Sequence, residues 1–354
     1  MRRITSKDLE TIALGSTVLG TGGGGDPYIG KLMAQNAIDT FGAVEMLSPE
    51  EVPDDALIVP VAAFGAPVIL MEKLFGGKEA ISAFEMMEKY FGQKIYATMP
   101  AEAGGLNGVI PFALAAEKGI PIVDADGMGR AYPRLEMVTF TLYDIPVSPI
   151  TQADEKGNRA VYHTINNAWG EIMVGSTVIP MGGSCFIACY PMTGKQMKEA
   201  AVLGVISKAE QIGISISQAK KQGLDVLKNL LETVEGKLIF QGKISDMNME
   251  LDGRWNKGVC KLMGLEAYQG QEMILDFQNE FLRASIDDEV VASVPDLITV
   301  LDMDTSEPIT AEVLQFGYRL NVIAMPCDDK WKTPKGIALV GPSAFGYENE
   351  YNPI

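Results

Sequence analysis

A single histidine, His163, stands among the 354 residues. One imidazole cannot build a zinc site of several histidines, and any Ser-His-Asp triad would have to use that ring. Basic charge is also short. The chain has 29 Lys and Arg against 46 Asp and Glu, a formal net charge of −17. Duplex binders displace counterions with a basic footprint, so this balance points away from nucleic acid, and equally away from anionic lipid. No apolar run approaches the roughly 18 residues that span a bilayer. The four cysteines are Cys185, Cys189, Cys260 and Cys327. Met1-Arg2-Arg3-Ile4-Thr5 leads into polar Ser6-Lys7-Asp8 with no apolar stretch of the secretory kind. The thiols therefore read as reduced groups of a cytoplasmic protein, not as a disulfide framework.

What remains is ample apolar matter. Hydrophobic residues make up 47% of the chain and charged residues 21%, which supports a large core and excludes a disordered chain. The length suits two domains. Thr5 and Asp8 have capping-box spacing, and Leu9, Ile12 and Ala13 repeat at helical spacing, so a first helix runs to about Leu19. Gly20 to Gly25 breaks it, and Asp26-Pro27 opens a second helix. Then Ala56–Val61, Lys94–Thr98 and Ile120–Asp124 read as strands, separated by helices over Lys78–Phe91 and Leu106–Lys118. Apolar strands alternating with helices predict an α/β domain with a mostly parallel sheet. Asp154-Glu155-Lys156-Gly157-Asn158 reads as a polar turn, and the domain boundary is placed near Ala168.

Residues 169–354 form the second unit. Two helices are expected at Gly194–Gln211 and Ile216–Glu235. From Gly236 the pattern becomes short strands at 238–240, 259–262, 273–277, 290–294, 297–301 and 320–324. Their spacing predicts an antiparallel β sandwich or barrel.

Three segments could carry chemistry. The loop of Thr21, Gly22, Gly23, Gly24, Gly25 and Asp26 precedes a helix N-terminus, where backbone N–H groups can cradle an oxyanion or a polar ring. A helix precedes it and no Gly-Lys-Ser/Thr follows, so no nucleotide is expected. The plainer alternative is a tight turn capped by Asp26. Glu102 lies beyond the second predicted strand, where ligands collect in open α/β sheets. It is a candidate catalytic carboxylate, or else a first-turn acid that stabilises a helix dipole. Asp124, Asp126 and Arg130 follow the third strand. Alternation would put both aspartates on one face, where close like charges raise one pKa or share a divalent cation. Arg130 could hold an anionic substrate group or steady an Asp. Cys185 and Cys189 sit in apolar sequence and read as buried side chains.

The segments Leu19–Pro27, Asp124–Pro133, Met181-Gly182-Gly183, Pro191-Met192-Thr193-Gly194 and Pro342–Tyr347, taken in order, resemble the DUF917 family over essentially the whole chain. Some members are S-methyl thiohydantoin desulfurases, and the family often accompanies hydantoinase and oxoprolinase proteins. The resemblance implies an N-terminal α/β domain followed by a C-terminal domain, and it supplies no residue-level mechanism. The expectation is thus a hydrolase acting on a hydantoin or S-methyl thiohydantoin-like ring. Glu102, Asp124 or Asp126 would serve as base, and Gly22 to Gly25 and Arg130 would hold substrate. The alternative is a ligand-binding or accessory subunit of a hydantoinase-type enzyme. Partners would be a small molecule, further copies of the chain, or such an enzyme.

Overall fold

The computed structural model describes residues 1–66, 69, 73, 76–252 and 255–354. Thr5 donates its N–H and its hydroxyl to Asp8 Oδ2, each at 2.7 Å, at the start of helix α1 (Asp8–Leu19). Asp26 caps helix α2 (Pro27–Phe41) by accepting the Tyr28 N–H at 2.8 Å, with Pro27 at the first helical position. Both ends follow the sequence reading.

The first sheet is built from β1 (Arg2–Ile4), β2 (Val44–Leu47), β3 (Leu57–Gly65), β4 (Ala97–Pro100) and β5 (Ile122–Val123). After the two-residue β6 (Ala125–Asp126), it continues with β7 (Ile150–Ala153), β8 (Arg159–Tyr162), β9 (Ser184–Ala188) and β10 (Met192–Thr193). Its order is β1-β2-β5-β4-β3-β9-β7-β8, with β10 also on β3. The centre β2-β5-β4-β3 is parallel, as the alternation of apolar strands and helices predicts. The flanks are antiparallel, so the sheet is mixed. The reason is local: β7 and β8 are joined by the polar turn 154–158, and a hairpin connection can only give antiparallel pairing. The sheet also draws β9 and β10 from beyond residue 168.

Helices cover this sheet. Glu79–Phe91 lies on β7 and β9, and Ile110–Lys118 lies against α2. The expected helix Gly194–Gln211 is divided by Val202–Leu203 (β11), which pairs with β6, and by Gly204 at φ 74°. Helix Val205–Gln222 follows. Gly223 in the left-handed region ends it, and Asp225 caps Val226–Val234. Val205–Gln222 packs along α1 so closely that a Cβ on Gly15 would overlap the Ala209 carbonyl.

The strand-rich C-terminal reading becomes one antiparallel sheet of eight strands. These are β12 (Lys237–Asp252), β13 (Trp255–Gly264), β14 (Glu272–Gln278), β15 (Glu280–Ile286), β16 (Glu289–Ser293), β17 (Leu297–Asp302), β18 (Pro308–Ile309) and β19 (Arg319–Met325). The order is β16-β15-β14-β13-β12-β19-β17-β18. The sheet curls until β15 lies against β17, enclosing Phe240, Leu262, Leu275, Phe281, Val300 and Val322. Among the described residues no helix is long and apolar enough to cross a membrane.

The contact at Gly15 gives a direct test. Gly15→Ala must push α1 off Val205–Gln222, because a backbone carbonyl cannot rotate aside as a side chain can. A loss of about 1–3 kcal/mol is expected in urea denaturation. An unchanged midpoint would mean that the two helices are not packed this closely.

Candidate active site

The glycine loop is threaded between the two halves of the chain. Thr21 has φ 51°, and its carbonyl accepts the Phe281 N–H of β15 at 2.7 Å. The Gly22 carbonyl accepts the Ala311 N–H at 2.8 Å. The Gly24 and Gly25 carbonyls both accept the Leu106 N–H, at 3.0 and 3.2 Å. Gly23 has no room for a side chain, since a Cβ there would overlap the Glu280 carboxylate. The loop therefore brings the Glu102–Leu106 segment and β15 together around itself.

A cavity of about 80 Å³ opens at this junction. Its lining includes Gly24, Gly25, Glu102, Asn107, Arg134 and Glu280. Asn107 fixes Glu102 by donating to Oε1 at 2.6 Å. Asn107 is itself locked on the backbone of β3, accepting the Ala63 N–H at 2.8 Å and donating to the Ala63 carbonyl at 3.2 Å. Glu280 arrives by a different route. Asn279, at φ 62°, turns the chain from β14 into β15, and its Oδ1 accepts the Asn256 N–H at 2.8 Å.

Glu280 is 2% exposed, and its Oε2 has no hydrogen-bond partner. Burial pushes its carboxyl well above the usual carboxylate range, and the charge of Glu102 adds to this while Arg130 opposes it. Glu280 thus holds its proton more firmly than an ordinary carboxyl, beside a second carboxylate. Burial also lifts Glu312 to about 7, with a contribution from Asp26.

Of the residues singled out in the sequence, Gly24, Gly25 and Glu102 line this cavity. Thr21, Gly22 and Gly23 do not line it but lie behind it, against β15 and residue 311. Asp26 caps α2 and lies on another opening, between α1, α2 and β18. Asp124 accepts the N–H groups of Ile206 and Ser207, at 2.8 and 3.0 Å, and the Ser207 hydroxyl at 2.5 Å, so it caps Val205–Gln222. Asp126 is fully buried and accepts from the backbone of Ala103, Met128 and Gly129. Burial lifts it to about 8 against those three donors. The two aspartates thus serve separate sets of donors and do not share a cation site. Among the described residues no group of three or more His, Cys, Asp or Glu side chains is placed to hold a metal ion.

Arg130 is buried and spends every N–H of its guanidinium inside the protein. Nε donates to the Ala131 carbonyl, Nη1 to the Pro295 and Asp296 carbonyls, and Nη2 to Thr21 Oγ1 and the Phe281 carbonyl. It does not line the cavity. His163 is exposed and leans on the Tyr90 ring. Burial pushes Cys185 and Cys189 up to about 12, in keeping with inert thiols.

The sequence reading did not single out Asn107, Arg134, Asn279 or Glu280. Glu280 had one legible sign: an acid directly before Phe281-Leu282, in a stretch whose alternation marks a buried strand.

Residues 7–164 match the N-terminal domain of the S-Me-THD-like family, and residues 165–354 match its C-terminal domain. The chain belongs to the S-Me-THD-like family. This is the family that the ordered motifs resemble, and membership suggests a hydantoin-related function. A protein from Chromobacterium violaceum, solved by X-ray crystallography, shares the fold of this S-Me-THD-like chain. Its TM-score is 0.78 at 23% identity, with 100% of each chain covered. No curated protein matches the chain.

Two outcomes are expected from this geometry. Arg130→Ala removes the guanidinium donor from Thr21 Oγ1 and from three carbonyls of the second half, of which Pro295 keeps only the Tyr132 hydroxyl at 3.4 Å. Its cost in chemical denaturation should be about 3–5 kcal/mol. A loss below about 1 kcal/mol would remove Arg130 as the clamp between the halves.

The second outcome concerns pH. Glu280 and Asp126 keep their protons in the folded chain at pH values where the unfolded chain has released them. Their contribution to stability is therefore complete below the ordinary carboxyl range near 4 and is lost as pH rises through their folded values, about 8 for Asp126. Thermal melting should fall between about pH 5 and about pH 8, and Glu280→Gln, which mimics the protonated acid, should flatten that slope. A steeper slope in Glu280→Gln would contradict a protonated Glu280.

Proposed function

We propose that this chain hydrolyses a small cyclic ring of the S-methyl thiohydantoin class in the cavity between Glu102 and Glu280. The observation that carries the reading is the pair of acids itself. One is held ready by Asn107, and the other is buried with an unpartnered oxygen. A buried carboxyl whose pKa is raised suits the role of acid, and a carboxylate braced beside it suits the role of base. The cavity has room for roughly half a dozen water-sized groups, which suits a five-membered ring with one small substituent.

In this reading Glu102 takes a proton from water as the oxygen attacks the ring carbon that carries sulfur. Glu280 donates its proton to the adjacent ring nitrogen. The tetrahedral adduct then collapses and the carbon–sulfur bond breaks. Glu102 returns its proton to the leaving thiolate, and the adduct hydroxyl returns one to Glu280 as it becomes a carbonyl. The products are the hydantoin and methanethiol. The N–H groups of Gly24 and Gly25, which no acceptor among the described residues takes up, would meet the ring carbonyl oxygen, which shares the charge that builds on the adjacent nitrogen during attack.

The test is thiol release from an S-methyl thiohydantoin by purified protein, with the hydantoin product identified by mass. Glu102→Gln should lower turnover by about 10²–10⁴-fold with little change in thermal melting. Tight ring binding without thiol release in the wild type would favour a ligand-binding or accessory role instead.

A further inference from the structure

We infer that two copies of this chain join edge to edge at β8, extending the first sheet across a two-fold axis. None of the residues involved lines the cavity. β8 is the last strand of the sheet, and no strand among the described residues covers its outer side. At the hairpin the Asp154 N–H donates to the Asn158 carbonyl at 3.1 Å, and the register then sets Gln152 against Ala160 and Ile150 against Tyr162. Antiparallel bonding alternates, so Arg159, Val161 and His163 turn their N–H and C=O groups outward. Such an edge is a template for another strand, and neither a Pro nor a bulge blocks it here.

Both faces of the sheet are apolar beside this edge. Gln152 donates to the Val174 carbonyl of helix Asn167–Val178, and the next residue back, Thr151, donates to the Ala83 carbonyl of helix Glu79–Phe91, so the two helices cover opposite faces. Helix Asn167–Val178 buries Gly170, Glu171, Val174 and Val178. Its other side and its flanks present Ile165, Trp169, Ile172, Met173 and Ile179 to solvent, with Ile165 85% and Ile179 79% exposed. A helix that is apolar on both sides belongs inside a structure, not at its surface. On the opposite face Tyr90, Phe91 and Val161 are exposed, and His163 leans on Tyr90. These eight apolar side chains are roughly half uncovered, which at about 150–250 Å² for a large side chain leaves on the order of 800 Å² open. One partner of a stable interface buries about that much.

Charge selects the occupant. A chain of net charge −17 repels its copy over most of its surface. The repulsion is least at this edge, where Arg159 and the buried Glu171 are the charged residues between positions 157 and 180. β16, the open edge of the second sheet, follows Asp287-Asp288 and begins with Glu289, so a pair there would carry three acids from each copy into the contact. A fitting partner for β8 offers an open strand with apolar surface on both sides of it, and a second copy does.

Sedimentation of the full chain at about 10 μM should give twice the 38.2 kDa of one chain, since interfaces of this size reach micromolar affinity or better. Ile172→Glu sets an unpaired charge in the contact and should weaken the dimer by about 10²-fold or more. Val161→Pro removes an N–H that faces outward, so it spares the β7–β8 bonds and should weaken the dimer by about tenfold or more. In the joined edges Val161 lies opposite its own copy, with Cα atoms about 5.5 Å apart and within disulfide reach. The four native thiols are buried, so Val161→Cys should link into a dimer under mild oxidation, while Val291→Cys on β16 should not. A wild-type chain that stays monomeric at about 100 μM, well above the micromolar range, overturns the inference whatever else the edge then binds. So does a dimer of unchanged strength in natively melting Ile172→Glu or Val161→Pro, a Val161→Cys chain that does not link, or equal linking by Val291→Cys. Should Ile172→Glu or Val161→Pro not fold, the Val161→Cys link decides, because that exposed side chain can be replaced at little cost to the fold.

Discussion

The arrangement of the molecule depends on one buried guanidinium. Arg130 places a permanent charge where water cannot reach it, and such a charge persists only if its donors are satisfied. They are met by the Thr21 hydroxyl and four carbonyls, three of them from residues 281, 295 and 296 in the second half. The planar fork reaches all of these at once, which an ammonium could not do. By fixing the glycine loop against the start of β15, it fixes Glu280 relative to Glu102. Asp296, whose carbonyl takes one of these bonds, also accepts the N–H groups of Cys327 and Ile354 on its carboxylate, so the C-terminal segment is tied to the same point.

The two aspartates extend this framework inside the first half. Asp126 binds the Ala103 N–H and so anchors the segment that begins with Glu102 to the end of β6. Asp124 caps the helix that packs on α1. The stretch from Asp124 to Arg130 thus positions its neighbours through backbone bonds, one layer behind the cavity. The glycines between these charged residues let the chain turn tightly enough for Asp126 to reach the N–H groups of Met128 and Gly129.

Much of the fold was legible because it is local. The ends of α1, the start of α2, the parallel centre of the first sheet and the strand-rich C-terminal part follow from caps and periodicity alone. The antiparallel flank was not. It depends on β9 returning from beyond residue 168 to pair with β3, and nothing in β9 names its partner. The site divides along the same line. Gly24, Gly25 and Glu102 could be chosen because they follow regular elements in an α/β pattern. Asp124, Asp126 and Arg130 carry the same sequence features but turn toward backbone groups, and composition does not reveal which way a side chain turns. Glu280 and Asn279 are distant in sequence and reach the cavity only through the tertiary contact at Thr21 and Phe281.

That distance has an electrostatic consequence. Two acids on one strand or one loop would share similar surroundings and compete for a proton on nearly equal terms. Here Glu102 sits at a helix entrance, braced by Asn107, while Glu280 emerges from the packed wall of a curled β-sheet. The low polarity of that wall decides where the proton resides, and the charge of Glu102 reinforces the decision. Arg130 pulls the other way but spends its donors on neutral acceptors, so it tempers the shift without cancelling it. Neither half of the chain contains this asymmetry alone. It arises only when the glycine loop is clamped between them, which is why the loop has no space for side chains where it meets Glu280.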